Sequence, residues 1–321
     1  MQNSPVSVEN DAKIEALFAR LSRYFAERQY CVLLFDAFAA SNAEETRISD
    51  LYDVLEKREH YELQFDHPNL NRREQPWLVP LNLEKQDDIA LFRHSVELAY
   101  EESEPQHLDK NYGRCICAWL DTEKTLPYIA AQLGGHAVQA VAEDAFIFLR
   151  FYDPSVLPAL LMLCDRWQCQ RLLSAVKTWA LLDGDCGLWV KVNQAEPTTQ
   201  LSFSLSLSTQ QAKDIELIAP MNQALRVYRQ KTCTDERFSE TEARGKMLPA
   251  LRRAITLHHL TDEADLCLFA QHALDIHPDF DFHPRINRLL KPHVSASTPP
   301  YRFAIADITS DEWLKIKSDC Q

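Results

Sequence analysis

A chain of 321 residues can hold one large domain or two modest ones, and a composition of 46% hydrophobic and 25% charged residues suits a globular protein. Its six glycines make no GxGxxG or GxxxxGKS/T pattern, which argues against nucleotide-binding loops. The net charge is −13, and residues 1–110 hold 12 Lys+Arg against 22 Asp+Glu. Such a chain repels phosphate backbones and anionic membranes, so nucleic acid and lipid surfaces are poor partners.

The nine cysteines are odd in number and lack framework spacing. Cys31, Cys164 and Cys267 sit in apolar runs and read as small buried hydrophobes. The polar, acidic stretch before residue 14 does not read as a signal peptide. No apolar run approaches the roughly eighteen residues needed to cross a bilayer. A reducing cytoplasm is the expected compartment.

In chain order, Ile14, Leu17, Phe18, Leu21 and Phe25 recur at helical spacing and predict an amphipathic helix over 11–28. "YCVLLFDAFAA" (Tyr30–Ala40) is a strand-length apolar run that breaks at Asp36. Ile48, Leu51, Tyr52 and Leu55 mark a second helical stripe, and "PWLVPL" (76–81) a short extended piece. Helical sequence returns over 86–100, then "RCICAWLD" (114–121) reads as a buried strand. "TLPYIAAQL" (125–133) predicts a helix that stops at Gly134-Gly135.

In the next stretch, "AFIFLRFYDPSVLPALL", Phe146–Tyr152 predicts a strand with Phe146, Phe148, Arg150 and Tyr152 on one face. Asp153-Pro154 predicts a helix start, with Leu157, Leu160, Leu161, Cys164 and Trp167 along one helical face. Trp179–Asn193 reads as two strands joined by the turn "DGDCG". The alternation of strands and helices predicts an α/β lobe with a mixed sheet over residues 1–200.

"NQAEPTTQLSFSLSLSTQQ" (193–211) is a compositional break, either an edge strand or a connector. Beyond it the periodicity is helical only: Ile215, Ile218, Met221, Leu225 and Tyr228, then Met247, Leu251, Ile255 and His258, then Leu266, Phe269 and Ala273. A smaller all-α lobe is expected over 208–292. The tail 293–321 opens with the linker-like "HVSASTPP" and carries a short amphipathic segment around Trp313.

Candidate chemistry is sparse. Cys115 and Cys117 are too few for a structural zinc site. "HPDFDFHP" (277–284) could gather two histidines and two aspartates around a metal, but its prolines and phenylalanines suit a rigid loop between helices. No GxSxG elbow is present. Asp36 and Asp153 each end a predicted strand; on neighbouring strands they could act as an acid–base pair, whereas local capping explains each one separately. Arg150, in an otherwise aromatic strand, needs a carboxylate or solvent, and Asp36 and Asp153 are its internal candidates.

Taken whole, "FLRFYDPSVLPALL" resembles the signature "RFYDPRVL" of the type VI secretion effector adaptors, the Tap or Tec chaperones. "YCVLLFDAFAA", "PWLVPL" and "LPYIAAQL" are similar to further family segments in the same order, over roughly residues 30–183. Ser155 stands where the family usually carries a second arginine, and 112–120 matches the family's Trp-Gly segment only at Gly113. The resemblance implies a non-enzymatic adaptor chaperone without cofactor or metal. Such a protein binds a type VI effector and helps load it onto the VgrG spike; an apolar helical segment of the effector, shielded in a groove, is the contact expected. On that reading Arg150, Tyr152, Asp153 and Asp36 brace or line a partner groove. A hydrolase or transferase using Asp36 and Asp153, and a self-associating structural protein, are the competing classes.

Overall fold

The structure is a computed structural model that describes residues 5–43, 45–65, 75–109, 113–142, 145–173, 176–193, 202–233, 236–290 and 300–320. The chain divides into two compact units, Met1–Thr209 and Gln210–Gln321.

The first unit opens with α1 (Pro5–Phe25), β1 (Tyr30–Phe35), α2 (Ala37–Ser41), α3 (Thr46–Glu56), β2 (Tyr61–Glu62) and β3 (Trp77–Asn82). It continues with α4 (Gln86–Glu102), α5 (Pro105–Asp109), β4 (Ile116–Asp121) and α6 (Leu126–Ala137). Then come β5 (Val138–Ala142), β6 (Ala145–Phe148), α7 (Leu157–Leu163), α8 (Arg166–Leu173), β7 (Thr178–Leu182) and β8 (Leu188–Val192). The strands expected at 76–81, 114–121 and 179–193 are present, whereas the apolar run at 30–40 is a strand only to Phe35 and turns helical at Ala37–Ser41.

Six strands form one sheet in the order β2-β3-β1-β4-β7-β8, and β5 and β6 form a separate hairpin. The expected mixed sheet is corrected here, because every pairing among the described strands is antiparallel. Strand–helix alternation predicts parallel neighbours only when successive strands lie side by side. Here β3–α4–β4 is a crossover between two strands of the same direction, and β1 is inserted between them, antiparallel to both.

That central place explains the composition of β1. Cys31, Val32, Leu33, Leu34 and Phe35 are all fully buried, so both faces of the strand are covered and alternation is lost. Cys31, Leu33 and Phe35 join Leu21 and Phe25 of α1, Phe92 and Val96 of α4 and Trp119 of β4 in one core. Phe92 is the hub, with Phe25 and Trp119 edge-on at 6.0 and 6.4 Å. Pro80, which has no N–H to give, lies on β3 beyond the reach of β2, which pairs only with Leu78 and Trp77.

Two helix predictions are overturned by tertiary contacts. The helix expected to stop at Gly134-Gly135 runs through both to Ala137. A Cβ on Gly134 would collide with the Gln64 backbone, and one on Gly135 with the Phe203 ring. These glycines permit close approach rather than a cap. The helix expected from Asp153 through Trp167 is two short helices broken at Cys164, whose ψ of 145° is extended. Trp167 is half exposed instead of sharing the buried face.

The second unit is helical: α9 (Thr209–Glu216), α10 (Ile218–Lys231), α11 (Glu240–Thr256), α12 (Glu263–Asp275), α13 (Pro284–Leu290), α14 (Tyr301–Ala304) and α15 (Ser310–Asp319). The stripe from Ile215 to Tyr228 is split at Leu217 between α9 and α10. Ser239 and Glu242 close a capping box on α11, whose Ala243, Met247, Ala250, Leu251 and Ala254 are buried. The amphipathic segment expected at Trp313 is α15, and the Trp313 ring lies 4.4 Å from that of His272. The linker-like segment at the start of the tail lies outside the described residues.

Candidate functional site

β1 delivers Asp36 to the start of α2. There its Oδ1 accepts N–H groups from Phe38 at 3.1 Å and Ala39 at 3.0 Å, the ordinary work of a helix cap. Its other oxygen accepts from Arg150 Nη2 at 3.1 Å. Asp36 is only 2% exposed. Burial raises its pKa, opposed by the Ala39 N–H and the Arg150 charge.

Arg150 arrives from the hairpin. The predicted strand to Tyr152 ends at Phe148, and because β6 pairs only with β5, Asp36 and Asp153 do not stand on neighbouring strands. The chain then turns through Phe151–Val156 before α7 begins at Leu157. Asp153 does not cap that helix. Its Oδ1 accepts the Ser155 N–H at 2.8 Å, while its backbone carbonyl accepts from Val156 and Leu157. The Asp-Pro signal is therefore real but closes a turn, and Val156 precedes the helix without a side-chain cap.

Arg150 thus holds two elements together. Its guanidinium reaches Asp36 at 3.1 Å and Asp153 at 3.9 Å, and lies 5.7 Å from the centroid of the Tyr152 ring. Burial opposes its charge, yet Asp153, Tyr152 and Asp36 keep its pKa above the ordinary value. Tyr152 is buried, and desolvation pushes its phenol up. It stacks on Phe65 at 5.8 Å, and Phe65 meets Phe148 edge-on at 5.0 Å. Phe151 points elsewhere and lies 6.1 Å from Trp179 of β7, which fixes the turn to the sheet.

The four residues singled out in the sequence are therefore together, as a braced joint. Each carboxylate is engaged in a local turn, and the cation lies within reach of both. Two-carboxylate chemistry needs an acid free to face a substrate, whereas both carboxylates here lie against the same Arg150 cation.

Ser155, where the resembling family carries arginine, accepts from Arg114 Nη2 at 3.1 Å. Arg114 is buried and also donates to the Leu182 carbonyl at 2.8 Å, while Glu102 accepts from the Cys115 and Ile116 N–H groups at 2.7 and 3.0 Å. Sequence reading missed this cluster, although Arg114 beside an apolar strand carried the same signal as Arg150.

Beside the joint lies an open groove of about 450 Å³ between α6, the hairpin and residues 203–204. Ala131, Gly135, Val138, Ala140, Phe146 and Phe203 line it, and none of its described lining residues is charged. Phe146 is 61% exposed there. One wall is an extended strap held by side chains rather than by strand pairing. Gln139 Nε2 donates to the Phe203 carbonyl at 3.0 Å, and its Oε1 accepts the Leu205 N–H at 2.7 Å. Arg171 Nε donates to the Ser204 carbonyl at 2.7 Å and Gln168 to that of Leu205 at 3.0 Å. The described part of the 193–211 stretch is thus a connector and not an edge strand.

The second unit has a groove of about 500 Å³ lined by Leu217, Ala219, Pro220, Ile255, Leu260 and Leu266, with Lys213, Glu216, Arg252 and Glu263 beside them. The "HPDFDFHP" groups disperse. Asp281 is fully buried and accepts from Arg253 Nη2 and Nε at 2.7 and 3.0 Å, with His258 Nε2 at 3.1 Å. His277 accepts the Asp279 N–H, and His283 faces Asp319. Among the described residues no three His, Cys, Asp or Glu side chains converge to hold a metal. Cys31, Cys115, Cys117 and Cys267 are buried, whereas Cys164 is half-buried, contrary to its reading as a core thiol.

Residues 33–171 match a family described as a domain of unknown function, DUF4123. The DUF4123 region begins inside β1 and ends inside α8, so it contains Asp36, Arg150, Tyr152 and Asp153 and excludes the helical unit. No curated protein and no solved structure matches the chain. Among the described residues, no helix is long and apolar enough to cross a membrane.

Proposed function

We propose that this chain is an adaptor chaperone that binds a type VI secretion effector in the bacterial cytoplasm and helps load it onto the VgrG spike. One observation carries the reading. The DUF4123 match, a family associated with such adaptors, encloses the whole "FLRFYDPSVLPALL" segment, and that segment adjoins an open groove with no charged side chain among its described lining residues. The brace runs from Arg150 and Tyr152 through Phe65 to Gln64 on the groove wall. An apolar helical segment of an effector is the chemistry such a groove accepts, since it shields apolar surface before export. The groove of the helical unit offers a second contact surface, for the spike.

Co-expression with a candidate type VI toxin and VgrG, followed by affinity capture, tests this. The intact protein is expected to retain both partners. Phe146→Asp, at an exposed groove position, is expected to lose the toxin while the protein stays folded. Capture of neither partner by the intact protein overturns the adaptor reading; full capture by Phe146→Asp moves the toxin site away from this groove.

A further inference from the structure

The break between α7 and α8 brings two thiols together. Cys164 caps α7 in an extended conformation, and Cys169 lies in the middle of α8. The Cys169 Sγ turns back to within 3.6 Å of the Leu161 carbonyl and 3.8 Å of the Cys164 carbonyl. The Cys169 Sγ therefore lies against Cys164, and both residues are half-buried. We propose that Cys164 and Cys169 form a thiol–disulfide site, in which Cys169 is the attacking thiol and Cys164 the resolving one, with a low-molecular-weight disulfide as oxidant.

The chemistry of the pair supports those roles. The neighbouring Cys164 thiol, aided by Lys191 and opposed by burial and Asp165, lowers Cys169 to about 7. The Cys169 thiol and burial push Cys164 up. Cys31, Cys115 and Cys117 are instead raised well above the ordinary thiol by burial, which leaves them inert. In the reaction, the Cys169 thiolate attacks one sulfur of oxidised glutathione and expels glutathione thiolate, which takes a proton. Cys164 then gives its proton to solvent and attacks the Cys169 sulfur, breaking the mixed disulfide and releasing the second glutathione. Two protein thiols are oxidised and one glutathione disulfide is reduced to two thiols.

The site lies in a mechanically relevant place. Gln168 and Arg171, which hold the strap carbonyls, are on the same short helix as Cys169. A covalent bond from Cys169 to Cys164 would fix that helix to the end of α7.

The test uses the full-length protein in reduced/oxidised glutathione buffers of graded ratio, quenched by alkylation and mapped by peptide mass. The expected result is a Cys164–Cys169 disulfide, seen as an intact mass lower by two hydrogens, with exposed Cys233 outside it. In C164S, Cys169 is expected to retain a glutathione adduct. A second measurement needs no variant: the alkylation rate of Cys169 against pH should have its midpoint near 7, against about 8.5 for a free thiol. Cys164 and Cys169 both alkylatable at the most oxidising ratio would overturn the proposal. So would a Cys169 midpoint at the free-thiol value, or pairing of Cys169 with any other cysteine.

Discussion

Replacing Arg150 by methionine keeps an apolar stem of similar length and removes the cation shared by Asp36 and Asp153. Two opposite charges at the observed 3.1 Å attract by about 5 kcal/mol at an effective dielectric near 20. Desolvation of Asp36 offsets most of that attraction. The Arg150 side chain is 44% exposed, so water screens it further. Asp36 keeps its two backbone donors after the change. A hydrogen bond to a charged group contributes about 1.5–3 kcal/mol, and the half-exposed donor places Arg150→Met at the lower end, a loss of about 1.5–2 kcal/mol at pH 7.

The sign of the pH dependence follows from Asp36. Its folded pKa is already raised by burial, so the stability that its protonated form contributes is complete below the unfolded value of about 3.9. That contribution is lost as pH rises through the folded value. Without Arg150 the folded pKa moves higher still. The penalty for Arg150→Met is therefore largest at neutral pH and shrinks as the solution is acidified toward pH 4. Urea unfolding followed by the fluorescence of buried Trp119 and Trp179, at pH 7 and pH 4, measures this. A double-mutant cycle with Asp36→Asn isolates the pair. A loss below about 0.5 kcal/mol at pH 7, or one equal at both pH values, would refute the brace.

Gly134→Ala is expected to destabilise the first unit by about 2–3 kcal/mol, because the new methyl meets Gln64 backbone rather than a yielding side chain. Gly245→Ala, in α11 with open space around it, should instead stabilise by about 0.5–1 kcal/mol; thermal melts of both variants check the opposite signs. Glu240 is buried and bonded to buried Arg229 and Arg244 at 2.6 Å each, so Glu240→Ala should cost about 3–5 kcal/mol. In the same melts Glu101→Ala, which removes an exposed partner of Arg47, should cost less than about 1 kcal/mol. Gln139→Leu removes the acceptor of the Leu205 N–H; faster hydrogen exchange at that amide and a loss of about 1–2 kcal/mol are expected.

The elements most legible in the sequence were those defined by one dominant local pattern. The apolar run at 30–35, the stripe at Ile48–Leu55 and the paired strands after Thr178 needed nothing beyond periodicity. Where the reading failed, a distant segment overrode a local rule. Gly134 and Gly135 imitate a helix end, but Gln64 and Phe203 explain them. Asp153-Pro154 imitates a cap, but the side chain closes its own turn. The antiparallel sheet was hidden because periodicity carries no strand order, and β1 between β3 and β4 is a fact of order alone. The joint was half legible: Arg150 demanded a carboxylate, and both candidates proved near it. Its aromatic contact through Phe65 was not, since no spacing rule connects residues so far apart.

The insertion of β1 between strands that follow it in sequence has a consequence for synthesis. As the chain leaves the ribosome, Tyr30–Phe35 emerges long before Trp77–Asn82 and Ile116–Asp121, the segments that cover its two edges. A nascent chain that ends between Phe35 and Trp77 therefore presents an apolar strand with both edges unsatisfied, the form most prone to pairing with a neighbour. The helix before it, through Leu21 and Phe25, supplies the cover available from the nascent chain at that stage. Stop codons or stalls in this window should yield insoluble fragments, whereas chains ending after β4 have the complete centre of the sheet.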